Sequence, residues 1–283
     1  MSDAPDLLSA VFTVRARETV TLPGFVGRAV HAQCLRWIAA EDAGLAQAAH
    51  DSDGVKPFTC SSLVGGRRTG QDVRRLNAGE TAWFRLTTLT RTLTDALLRV
   101  CAARPASVDL DGIELDVVTI ATVPDQHDWA GSTRYDALSA PYLLAQQEAP
   151  RRLRLHFTSP VTFHQQGVEM PLPSPDLVFG SLADRWNRFS PVAVSAEVRE
   201  FCKTGLHLAD FNLKAQRLPF KSGVVMGAVG DLEVRAARYD RYWLSVIAVL
   251  ADYAFYAGIG RMTTMGMGQA RRQHSHTLAH NSR

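Results

Sequence analysis

One order of elements occurs twice in this chain, and that repetition constrains the fold more than any other feature. Leu8–Arg17 alternates apolar and polar residues, the period of a half-buried strand. A helical stretch from Arg28 to His50 follows, broken near Asp42, a residue suited to cap a second short helix. Pro57–Val64 and Thr81–Leu89 read as strands. Thr90–Ala103 reads as a helix with Leu93, Leu97 and Val100 on one face, and Ile113–Val123 as a closing strand. The second half restarts with Arg151–Thr158, where Leu153, Leu155 and Phe157 share one side. Ser174 and Pro175 open a helix, with proline at its favoured first-turn position and an apolar stripe of Val178, Phe179, Leu182, Trp186 and Phe189 behind it. Leu206–Phe220 and Val224–Arg235 read as extended. A helix over Arg238–Tyr256, with a narrow seam of Tyr239, Trp243, Val246, Leu250 and Tyr253, leads to a last strand, Met267–Arg272. Each half therefore reads β-α-β-β-α-β, the ferredoxin-like order. The expectation is an α+β protein of two tandem ferredoxin-like domains, 1–123 and 151–273. A polar, proline-containing connection, 124–150, joins them, and a disordered tail, 274–283, follows.

Between the last helix and the last strand lies Gly258-Ile-Gly260-Arg-Met-Thr-Thr-Met-Gly266-Met-Gly268, four glycines in eleven residues with Arg261 among them. Glycine allows positive φ and close approach of a ligand to the backbone. Bare N–H groups with no acidic residue nearby suit a phosphodiester, and a flexible hinge is the competing reading. No strand precedes the loop and no Gly-Lys-Ser/Thr closes it, so it is not a nucleotide-binding fingerprint.

The 283 residues carry a formal net charge of only +3, so affinity for nucleic acid must come from local clusters and not from a global field. Cys34, Cys60, Cys101 and Cys202 form no CxxC or Cys/His finger and read as reduced, mostly buried thiols. The start lacks a signal peptide's basic and apolar regions, and the best apolar run, Trp243–Leu250, is too short to cross a bilayer. The expectation is a cytoplasmic protein without membrane contact.

Three segments carry a family resemblance. They are the glycine loop; the run Leu155-His-Phe-Thr-Ser-Pro160, Pro173-Ser-Pro-Asp-Leu-Val-Phe-Gly-Ser-Leu182 and Arg185-Trp-Asn-Arg-Phe189; and Leu45-Ala-Gln-Ala-Ala-His50 leading into Lys56-Pro-Phe-Thr-Cys-Ser61. In this order they resemble the CRISPR-associated endoribonucleases that process repeat RNA, Cas family six of the RAMP superfamily. The resemblance implies cleavage of CRISPR repeat RNA with neither metal nor cofactor. The ribose 2′-hydroxyl would attack its own phosphate and leave 2′,3′-cyclic phosphate and 5′-hydroxyl ends. The partners implied are repeat RNA and other CRISPR effector subunits, with the chain a monomer or homodimer. A non-catalytic guide-RNA-binding subunit of the same superfamily, and a ferredoxin-like module binding a small anion or a protein, are the alternatives.

Such a reaction needs a base, an acid and positive charge at the phosphorane. His50, at the end of the helix that starts at Asp42, is the first candidate for proton transfer, in a direction left open. Lys56 lies six residues on, as the family's His–Lys pairing implies. The family often adds a tyrosine in its first helix; here that stretch reads His31-Ala-Gln-Cys-Leu-Arg-Trp37, and His31 or Arg36 could stand in. The RNA-binding candidates are Gly258, Gly260, Arg261, Gly266 and Gly268, with Arg67, Arg68, Arg217 and Lys221 from basic clusters that also include Arg74, Arg75 and Lys214. Ser61 and Ser62 are weaker phosphate candidates. His156 and His164 have no acidic partner at triad or metal spacing, and His274, His276 and His280 belong to the polar tail.

Overall fold

The computed structural model describes residues 4–52, 54–69, 72–144, 148–220 and 223–273; Lys221 and the expected tail 274–283 lie outside them. The first unit runs β1 (Leu7–Arg15), β2 (Val20–Pro23), α1 (Gly27–Glu41), α2 (Ala43–Asp51), β3 (Phe58–Cys60), β4 (Val64–Gly65), β5 (Arg67–Arg68), β6 (Val73–Leu76), β7 (Thr81–Thr88), α3 (Arg91–Ala103), β8 (Ser107–Leu110) and β9 (Ile113–Ala121). Its main sheet is ordered β3-β7-β1-β9-β8, all antiparallel. The four strands foreseen from the pattern lie in it as second, third, first and fourth, the ferredoxin-like order. Alternation sets its two faces. Phe12, Val14, Phe84 and Leu86 point into a core with Val30, Cys34 and Ile38 of α1 and Leu93 and Leu97 of α3. Phe12 and Phe84, paired across β1 and β7, stack with ring centroids 5.3 Å apart, an aromatic cross-strand pair of the kind that fixes register.

The helix break falls at Asp42. That residue is extended (φ −158°), and its carboxylate accepts a hydrogen bond from the Leu45 N–H at 2.9 Å, capping α2. A second, small sheet, β2-β6-β5, was not foreseen, because its strands are two to four residues long.

The stretch 124–150 is more than a connection. It holds β10 (Gly131–Thr133), which pairs with β1, and α4 (Tyr135–Leu143). Tyr135 donates to the Leu89 carbonyl at 2.9 Å and sits edge-on to Trp186, 5.1 Å away, so this segment ties the two halves together. Its prolines concealed the helix: Pro141 lies inside α4, where proline removes a backbone donor and disfavours helix.

The second unit runs β11 (Arg152–Val161), β12 (Phe163–Gln165), β13 (Val168–Met170), α5 (Pro175–Phe189), α6 (Val198–Gly205), β14 (Leu206–Phe220), β15 (Gly223–Ala236), α7 (Arg241–Ala257) and β16 (Ala270–Gln273). Its sheet order, β14-β15-β11-β16, repeats that of the first unit. The α5 stripe and α7 pack on Leu153, Leu155 and Phe157. The narrow seam expected of α7 is instead burial nearly all round, with 12 of its 17 residues inside. One side meets its own sheet, while Tyr253 reaches Tyr135 and Phe255 stacks on Trp129, 5.8 Å away.

Candidate active site and RNA interface

The glycine loop is not a surface cradle. Gly258, Gly260, Gly266 and Gly268 are all buried, and all four have positive φ. A β-carbon on Gly260 would lie 2.3 Å from the Thr162 carbonyl oxygen, and one on Gly268 would lie 2.2 Å from that of Ile259. Gly266 presses on Gly27, at the start of α1, and forms a bridge with Ser61 just after β3. Gly258, Gly260 and Gly268 serve close backbone packing within the second domain and Gly266 packs against the first, and of the loop candidates Arg261 is the one exposed to solvent. A buried arginine braces the loop from behind. Arg185 of α5 donates to the Ser181 carbonyl at 3.1 Å and to the Gly260 carbonyl. It stands in the Arg185-Trp-Asn-Arg segment, but its role as a loop brace was not legible there.

The loop packs against α1 and β3, and α1 packs against α2, which brings the histidines together. His31, on α1, and His50, on the last turn of α2, lie edge to face with ring centroids 6.5 Å apart, and Phe58 flanks His31 at 5.3 Å. His31 Nδ1 lies 3.1 Å from the carbonyl oxygen of Thr264 in the loop. A carbonyl only accepts, so Nδ1 carries the proton, and in the neutral ring Nε2 keeps its lone pair. Burial holds the His31 pKa below the ordinary histidine value against the opposing effect of the Thr264 bond, and the charges of His50, Lys56 and Arg28 lower it further.

Lys56 joins this group in a different way from the one expected. Its ammonium donates to the carbonyls of His50 and, at 2.6 Å, Ser52, satisfying acceptors that the end of α2 leaves open. Lys56 therefore fixes the backbone at His50, and its positive charge acts on His31. Arg36 is not brought here: it binds Gln33 and the Asp109 carbonyl at 3.1 Å. A groove of about 490 Å³ runs past Lys56, His164, Arg185, Arg199 and Arg261. On its rim Arg261 pairs with Glu169 and touches His164 at 3.3 Å. His156, read as lacking an acidic partner, has one across the sheet: its Nδ1 is 2.8 Å from Asp231.

The remaining basic candidates gather elsewhere. Arg67 and Arg68 are exposed on β5, and Arg217 is exposed on the long β14–β15 hairpin. The end of that hairpin meets the first domain where Phe220 packs edge-on to Phe25, 6.0 Å away. Phe84 is core, while Trp83 stays half-buried beside His127. Among the described residues, no group of three or more His, Cys, Asp or Glu side chains is arranged to hold a metal ion.

Known proteins resemble this chain along most of its length. The CRISPR Cas6 N-terminal domain model matches residues 8–140, and the CRISPR-associated endoribonuclease Cas6 model matches 155–270. A product complex of a Thermus thermophilus Cas6 is 25% identical, with a TM-score of 0.78, covering 95% of this chain and all of that one. A product complex of another Cas6 is 26% identical, with a TM-score of 0.75, over 95% of this chain and 99% of that one. A Cas6-related protein from Pyrococcus furiosus shares the fold at 10% identity, with a TM-score of 0.63, over 95% and 99% of the two chains. No curated protein sequence matches the chain significantly.

Proposed function

Because this chain belongs to the CRISPR-associated Cas6 endoribonuclease family and so processes CRISPR repeat RNA, we propose that it cuts that RNA by metal-independent acid–base catalysis with His31 and His50. The observation that carries the reading is the bond between His31 Nδ1 and the Thr264 carbonyl, with the His50 ring 6.5 Å away. It leaves His31 Nε2 as a base at a ring held neutral. His31 takes the proton of the ribose 2′-hydroxyl, whose oxygen attacks the adjacent phosphorus. The bond from phosphorus to the 5′-oxygen breaks on the opposite side, and His50 supplies the proton that this oxygen needs. The products are a 2′,3′-cyclic phosphate and a 5′-hydroxyl. Such a displacement requires a base at the 2′-hydroxyl and an acid at the 5′-oxygen. Lys56 and Arg261 contribute positive charge to the phosphorane, Lys56 while fixing the end of α2 and Arg261 after exchanging Glu169 for phosphate. This places His31 in the position that the family often gives to a tyrosine.

Labelled repeat RNA tests the mechanism. Cleavage should proceed at the same rate in EDTA, and a single 2′-deoxy substitution just upstream of the cut should abolish cleavage while leaving binding intact. Dependence on added magnesium would overturn the mechanism. Tight binding of unmodified RNA without any cleavage would make the chain a guide-binding subunit.

A further inference from the structure

Arg185 carries a charge where the helix pattern calls for an apolar side chain. Val178 and Leu182, on the preceding turns of α5, are fully buried, and the same stripe places Arg185 inside at 8% exposure. A buried guanidinium is costly unless an anion neutralises it. Among the described residues no carboxylate pairs with Arg185, and Asp184, its neighbour in sequence, pairs with Arg199 instead. Burial accordingly lowers the Arg185 pKa. Leucine or methionine would fill the same space without that cost, so the charge calls for a use.

Its use is at the glycine loop. Arg185 donates to the Gly260 carbonyl, and the same nitrogen lies 3.5 Å from the Thr263 hydroxyl. The Gly260 N–H in turn donates to the Ser181 hydroxyl at 3.3 Å. Both polar groups of the Gly260 backbone are thus held by α5. The next N–H, that of Arg261, donates to the Thr162 carbonyl at 2.8 Å. The chain then enters a single 3₁₀ turn, Thr263–Met265, through Met262 at a φ of +57° and leaves it through Gly266 at +93°. A residue other than glycine keeps a left-handed conformation only where its surroundings enforce it, and the anchors at Gly260 and Arg261 stand directly before Met262. The turn presents the Thr264 carbonyl to His31 Nδ1.

We propose that Arg185, together with Ser181, is a positioning residue for His31: the two clamp Gly260, and the clamp holds the Thr264 carbonyl where it fixes the proton on His31 Nδ1. Without that carbonyl either ring nitrogen can carry the proton, and a neutral ring protonated at Nε2 has no lone pair there to act as a base. The consequence for cleavage rests on the reading of His31 as the base; the placement of the proton does not.

Ring-nitrogen NMR reads the tautomer directly, on RNA-free protein with labelled histidine and at a pH where the ring is neutral. A His31→Gln protein assigns the signal. Wild type should show His31 with its proton on Nδ1. In Arg185→Met and Ser181→Ala the form protonated at Nε2 should appear beside it, with more of it in Arg185→Met. Single-turnover cleavage by Arg185→Met should fall by on the order of 10²-fold, the worth of a displacement of about 1 Å at a reacting group, with RNA affinity near that of wild type. A thermal melt accompanies each variant, and if Arg185→Met does not fold, the milder Ser181→Ala decides. The wild-type tautomer in the folded variants would overturn the proposal; if RNA affinity were lost at the same time, Arg185 would be a contact of the groove that it lines. A mixed tautomer with full cleavage would keep Arg185 as the positioning residue and overturn His31 as the base instead.

Discussion

The two ferredoxin-like units have the same strand order and opposite chemical characters. In the first, the opening helical segment is divided at Asp42, and its two pieces bring His31 and His50 together. In the second, α5 is one uninterrupted helix whose buried stripe serves the core, and its buried polar contribution, Arg185, turns inward to hold the glycine loop. The first unit thus presents the two histidines, and the second supplies the loop carbonyl that His31 meets. One meeting point sets His31 against the loop: Gly27 and Ser61 on one side, Thr264 and Gly266 on the other. Duplicating a fold permits this division, because one copy can keep its helix whole while the other breaks it to build a site.

The largest expected effect belongs to the first unit. His31→Ala should lower single-turnover cleavage by on the order of 10²-fold or more, the usual worth of a positioned base, with RNA binding nearly retained. A base at His31 would be the neutral ring, which is present above its pKa. Burial lowers that pKa, so the acid limb of the rate profile should fall below pH 6.5, the ordinary histidine value. Lys56→Ala removes one of the charges that lower it and should move the limb upward. The same shift makes the unfolded chain bind more protons than the folded one as pH drops past 6.5, so stability should decline there. A full rate in a folded His31→Ala protein would end the assignment.

The second unit should respond in stability before chemistry. Gly268→Val brings a β-carbon to 2.2 Å from the Ile259 carbonyl oxygen at a φ of +70°, so both space and backbone forbid it. A loss of about 3 kcal/mol or more is expected, read as a fall in Tm of roughly 10 °C. Gly112 also has positive φ, but a β-carbon there meets nothing within 4 Å. Gly112→Ala should cost about 1 kcal/mol. Equal melts for the two variants would mean that the close backbone packing inside the glycine loop contributes nothing to stability.

What the sequence disclosed follows from the range of each signal. Strand and helix periods are local, so the doubled order and the break at Asp42 could be read directly. The glycines announced an unusual backbone, but nothing local shows what presses on them: Thr264 is 233 positions from the histidine that it orients. His50 drew attention by its place at a helix end and Lys56 by its spacing, yet the partners of the Lys56 ammonium are carbonyls. Arg85 lies in a strand whose neighbours alternate as expected. Only the covering Trp129 and Phe255, brought from distant segments, make it a buried cation. The stretch 124–150 was misjudged because proline and polar composition outweighed a helix that tertiary packing stabilises.

Arg261 separates the loop's exposed side chain from its buried backbone and should give the smallest effect of the set. It is half-exposed and paired with Glu169, and an exposed pair of this kind contributes at most about 1 kcal/mol to stability. Arg261→Ala should therefore melt close to wild type, in contrast to Gly268→Val. If the guanidinium leaves Glu169 for an RNA phosphate, affinity should drop across unrelated RNA sequences. The slope of log affinity against log salt should become shallower by roughly 0.7 to 0.9, the loss of one phosphate contact. Glu169→Gln frees the guanidinium in advance and should tighten binding, and combining the two substitutions should remove that gain. An unchanged salt slope in Arg261→Ala would confine the arginine to its ion pair and leave the groove's cationic rim to Arg199.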